Sequence, residues 1–177
     1  GASDLDLIIG AGGLVTNGTG ASGYTAMPFL TLNGGELRAT NSLSVGGVTS
    51  DFYQAYGIRD TVTVGGSVPS SITDVGQPQG AISIGGATAL GVGVGSSLVF
   101  DVSNVTGDLA TDLTVSAKLK NSPSFTSAGL TKTGLGTMAL TRSNTYTGVT
   151  SVEGGVLSLG DGTTNTNLED AADVELM

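Results

Sequence analysis

The chain contains no cysteine and no histidine among its 177 residues. That removes Cys and His as nucleophile, general base or zinc ligand. Proline occurs four times, too few for a polyproline architecture. Charged residues make up 12% of the chain, about half the usual share. Only six are basic: Arg38, Arg59, Lys118, Lys120, Lys132 and Arg142, of which Lys118 and Lys120 alone sit close together. With a net charge of −9, the chain is a poor partner for nucleic acid or an anionic membrane, which require Lys and Arg clusters. No apolar run spans a bilayer; the stretch Leu7 to Ile9 is far too short. The first residues carry no basic leader region, so a mature form or an excised segment is expected.

Glycine is what the chain has in excess: 30 residues, spread along the whole length without a collagen period. Low charge together with positive mean hydropathy argues against disorder. Between the glycines lie short runs in which Val, Ile, Leu and Thr alternate with small polar residues. They are "LTLNGGELRA" (30–39), "TVTVGGSV" (61–68), "AISIGGAT" (81–88), "SLVFDVS" (97–103), "DLTVSAKL" (112–119), "TMALTRS" (137–143) and "VTSVEGGVLSL" (149–159). Alternation with period two reads as half-buried strand. Helical spacing shows only weakly, in the tail 165–176, although "ADVELM" (172–177) also reads as the start of a strand.

Gly-Gly pairs follow strands at 12–13, 34–35, 46–47, 65–66, 85–86 and 154–155. Pairs 12 and 34 are 22 apart, and pairs 65 and 85 are 20 apart. Such spacing predicts a solenoid whose coils are each about twenty residues long, with an aromatic insertion lengthening the coil between pairs 34 and 65. Glycine takes the positive φ that coil corners need. Interior positions stack on the coil above, so they must be aliphatic or small. Outward positions are solvated, and Thr, Ser and Asn suffice there.

One segment is more specific. "GLTKTGLGTMALTRSNTYTGVTSVEGGVLSL" (129–159) resembles the passenger-associated repeat of bacterial autotransporters. The resemblance rests on Leu130, Lys132, Gly134, Gly136, Thr137, Leu140, Asn144, Thr145, Tyr146, Gly148, Thr150, Gly155 and Leu157. Met138 stands where the family pattern has Leu, a tolerable swap in a packed interior, and Val149 where Gly is common. The resemblance implies an all-β, right-handed parallel β-helix, secreted or displayed at the outer cell surface. Members of that family usually also have a C-terminal membrane barrel, and none is expected within these 177 residues.

The expected organisation is a single β-helical segment. Residues 1–60 form less regular coils with an aromatic insertion or cap, 61–128 form coils, 129–160 the repeat, and 161–177 the start of a further coil. Tyr146 is read as a structural stacker rather than a binding spot, and Asn144 as a turn cap rather than a rung of an asparagine ladder. Tyr24, Phe29, Phe52, Tyr53 and Tyr56 concentrate in the first third. They are read first as a cap, and alternatively as a surface for glycan or protein. The acid pairs Asp4/Asp6 and Asp108/Asp112, and Asp161 with Asn165, match no calcium-loop spacing and are read as solvated turns. "GVGVG" (91–95) lacks a phosphate-loop pattern. No cofactor, metal or catalytic residue is expected. The partners expected are further coils or other copies stacked end to end, and host or matrix glycan or protein.

Overall fold

The structure, a computed structural model, describes residues 6–16, 25–39, 56–74, 81–84, 97–121, 128–160 and 174–176. Every element among them is a β-strand, and every strand-to-strand pairing is parallel. The first sheet runs β1 (Leu7–Gly10), β3 (Thr25–Asn33), β5 (Tyr56–Val64), β8 (Leu98–Val102), β11 (Leu130–Thr133), β13 (Thr150–Val152) and β15 (Val174–Leu176) in spatial order. The second runs β2 (Leu14–Thr16), β4 (Glu36–Ala39), β6 (Ser70–Asp74), β9 (Thr111–Val115), β12 (Thr137–Leu140) and β14 (Val156–Leu159). Spatial order follows chain order in both, so each turn of chain adds one strand to each sheet. The molecule is a parallel β-helix.

Alternation fixes which side chains face inward. In the first sheet Leu7, Leu30, Val62, Phe100, Lys132 and Val152 pair rung by rung, and Leu176 holds the next register position. In the second, Val15, Leu37, Ile72, Val115, Leu140 and Leu159 do the same. Leu30, Val62, Phe100, Leu37 and Ile72 are fully buried. Outward neighbours such as Thr31, Thr63 and Thr114 are short and polar, and stay partly or fully exposed. Cohesion thus comes from stacked aliphatic columns and inter-coil backbone bonds, which need few charges.

Each corner from the first sheet to the second holds one glycine in the left-handed region: Gly12, Gly34, Gly66, Gly107, Gly134 and Gly155, with φ between 67° and 86°. The pairs at 12–13, 34–35, 65–66 and 154–155 all lie there. The pairs at 46–47 and 85–86 lie outside the described residues.

Coil length differs from the sequence expectation. Val62 pairs with Phe100, a turn of 38 residues, so pairs 65 and 85 do not mark one coil. The extra chain includes β7 (Ala81–Ile84), which pairs beside the main path with the N-terminal part of β5 (Tyr56–Ile58) and with β10 (Lys118–Asn121). Lys120 bridges onward to Thr145. These segments form a third, shorter ladder ahead of the first sheet, and the long coils insert chain between that ladder and the sheet. The tail forms β15 rather than a helix in its described residues. The strand β5 crosses the expected boundary at residue 60.

Candidate functional site

The polar interior of this solenoid is concentrated in residues 109–154. Alternation in "LTKT" puts Lys132 on the same inward side as Leu130. Its four-carbon stem replaces the apolar residue that other coils place in this column, between Phe100 below and Val152 above. The side chain is fully buried. Its ammonium turns to the corner and donates to the carbonyls of Thr133 (2.6 Å), Gly134 (3.1 Å) and Gly154 (3.1 Å). Two of these belong to its own corner and one to the corner of the next coil. A single cation therefore ties consecutive turns together. Burial pushes its pKa below the ordinary lysine value, and the negative charges of Asp101 and Asp112 pull the other way.

Below that corner sits Asp112, also fully buried, and not the solvated turn acid expected from sequence. One carboxylate oxygen accepts from the Val105 and Thr106 amides and the Thr106 hydroxyl, each at 2.9 Å. The other accepts from the Thr137 amide in the next coil at 2.7 Å. Burial alone would raise its pKa; these donors, led by the Thr137 amide, hold it below the ordinary value. Its companion Asp108 is exposed and accepts from the Ala110 amide within the same turn. Of the other acids read as turns, Asp6 is exposed, and Asp4 and Asp161, like Asn165, lie outside the described residues. Among the described residues, no three acidic side chains converge as a metal would require.

The rest of the repeat works on backbone in the same way. The Asn144 side chain is buried; its oxygen accepts from the Leu119 amide in the coil below (2.8 Å), and its nitrogen donates to the Arg142 carbonyl (3.0 Å). The Thr145 amide bonds the Leu119 carbonyl. Tyr146 lies within the core, and its hydroxyl meets that of Thr150 at 2.7 Å, both side chains being buried. Thr137 is buried and its hydroxyl reaches the Leu109 carbonyl. At Gly136, Gly148 and Gly155 the backbone of the coil below approaches so closely that a Cβ would meet it at 2.4 Å. Met138 is fully buried, and Val149 faces outward.

The aromatic group in the first third divides. Tyr56 is buried in the core at 3% exposure, so it is no part of an open surface. Among the described residues its hydroxyl has no partner, and burial pushes its pKa up to about 12. Phe29 is exposed on β3. Tyr24, Phe52 and Tyr53 lie outside the described residues. Alternation in "YGIRDTVTV" signals that Tyr56 and Ile58 share a side, the one clue to its burial.

Buried clamps of this kind hold a scaffold together; their polar atoms are already engaged by backbone. The class is a parallel solenoid with corners fastened by side chains. Residues 130–159 match the model of the passenger-associated-transport-repeat, so the chain carries one such repeat over its β11 to β14 coils. No curated protein matches the chain, and no solved structure does.

Proposed function

We propose that this chain is a segment of a non-catalytic, extracellular or surface-displayed solenoid whose work is reach and mechanical stability. The reading is supported by one observation above the rest. Interior residues stack on one another through successive coils despite a bulge at Thr137/Met138, while Lys132, Asp112 and Asn144 each bond backbone between coils. The repeat at 130–159 supports a place in an autotransporter passenger, and with it the outer surface.

The column through Leu140 and Leu159 supports the finer proposal of stacking. Leu140 is buried, whereas Leu159, on the last strand of the second sheet, is 46% exposed. Among the described residues nothing covers that column or pairs with the outer edge of β14, and another coil, from the same chain or from a second copy, would do both. Negative-stain microscopy with sedimentation velocity over a concentration series tests this. Fibres one solenoid wide that lengthen with concentration support stacking. A single-chain species at every concentration overturns end-to-end assembly.

The second reading, an adhesin using the region 24–60 against glycan or protein, is favoured by exposed Phe29 alone among the described aromatics. Replacing Phe29 by Ser leaves the core intact. Surface attachment unchanged by that substitution would remove the described part of this surface.

A further inference from the structure

The corners between the two sheets carry an apolar ridge that neither packing nor the clamps account for. Successive coils place Val68, Leu109 and Leu135 there, with exposures of 42%, 81% and 81%; Val68 lies against Gly34 of the coil below, and Val156, 40% exposed, opens strand β14 just beyond the last corner. Isolated exposed aliphatics are ordinary, but a row of them on consecutive turns is not. The two leucines are not on loose loops. Leu109 ends a turn tied by Asp112 to the Val105 and Thr106 amides and by Asn104 to the Gly107 amide. Leu135 sits between Gly134, whose carbonyl binds the Lys132 ammonium, and Gly136, whose amide bonds the Val102 carbonyl. The Leu109 carbonyl accepts from Thr137, and the next corner rests on the Leu135 backbone at Gly155, so these turns are stacked in contact.

Charge beside the ridge has one sign. Asp101, Asp108 and Glu153 are exposed along it. Among the described residues, the corner turns themselves carry no basic side chain. That charge disfavours a second copy of the same ridge, which would set acid against acid. It suits a partner bearing Lys or Arg beside its apolar residues. Spacing narrows the choice further. Coils repeat every ~4.8 Å along the axis, and an α-helix rises ~5.4 Å per turn. A helix lying along the ridge meets each coil with one side chain per turn.

We propose that this ridge is a docking surface for a basic amphipathic helix of another polypeptide, with an apolar residue on each turn set against Leu109, Leu135 and their neighbours. The proposal stands apart from the rod reading, which needs no lateral partner.

The probe is a helical peptide made only of Leu and Lys, its leucines aligned one per turn, titrated against the intact chain. A second peptide of the same composition has its leucines distributed around the helix. The aligned peptide is expected to bind at least about tenfold more tightly than the scrambled one. It is expected to lose that advantage on the Leu109→Ser/Leu135→Ser variant, which keeps the net charge. Equal binding by both peptides, or by both proteins, reduces the attraction to bulk charge and overturns the proposal. The variant's melting temperature serves as a control and is expected to match that of the parent. A large drop means that the leucines are packed, which overturns the proposal as well.

Discussion

Lys132 is the one charged residue in an otherwise apolar column of the first sheet. A buried cation is costly unless it is surrounded by acceptors, and three carbonyls at 2.6 to 3.1 Å meet that condition. Stem and head contribute separately. Lys132→Met keeps the apolar stem and leaves the carbonyls without their donor; it is expected to cost about 1–3 kcal/mol in denaturant melts. Lys132→Ala also opens a cavity beside Phe100 and should cost about 2 kcal/mol more. Equal losses for the two would mean that the stem does not pack. Tyr56 makes the opposite prediction. Its buried hydroxyl has no partner among the described residues, so Tyr56→Phe should be neutral or stabilising by about 1 kcal/mol at neutral pH. The folded-state pKa lies above the unfolded one. The neutral phenol's contribution is therefore fully present below about pH 10 and lost as pH rises toward about 12. Alkaline melts of Tyr56→Phe should show less of that loss than the parent; identical profiles would contradict it. Neither role was legible from residue type. Lysine reads as solvated and tyrosine as sticky surface, and only period-two alternation, which puts Lys132 beside Leu130 and Tyr56 beside Ile58, pointed inward.

At the scale of elements, the corners were the most readable part of the sequence, because only glycine takes their backbone without strain. The Gly-Gly pairs at 12, 34, 65 and 154 are corners, whereas the corners at Gly107 and Gly134 lack a pair and carry no such signal. Two of these positions separate strain from space. Gly107 has a φ of 79° and open space where a Cβ would stand, while Gly134, at 73°, would bring a Cβ to 2.4 Å from the Val102 carbonyl oxygen. Gly107→Ala should thus cost about 1–2 kcal/mol, the strain alone. Gly134→Ala should cost more than about 3 kcal/mol or prevent folding, since the two coils must part. Comparable melts for the two variants would show that the corners are not packed coil on coil. Coil length was not legible. A solenoid tolerates insertions wherever chain leaves the ladder, so the coil from Val62 to Phe100 grew to 38 residues while that from Lys132 to Val152 kept 20. Equal Gly spacing at 65 and 85 therefore imitated a coil.

For the whole molecule, the sequence yielded the fold class because composition, period-two alternation and corner glycines agree. The third ladder was hidden, since β7 and β10 pair by position in the coil and carry no distinctive residues. The central claim is that chain order is preserved along the axis, each coil adding one strand to each sheet and stacking its residues on those of the coil below. An absence in the sequence makes this directly testable: with no native cysteine, two introduced thiols are the only ones. Leu14 and Ser158 occupy one outward column of the second sheet, through Glu36, Ser71, Thr114 and Ala139. Both are exposed. The measurement is the electron–electron distance between spin labels on Leu14→Cys and Ser158→Cys. Five coil steps predict a narrow distribution centred near ~24 Å. A broad distribution, or one centred far from that value, would contradict the stacked register on which the rest depends.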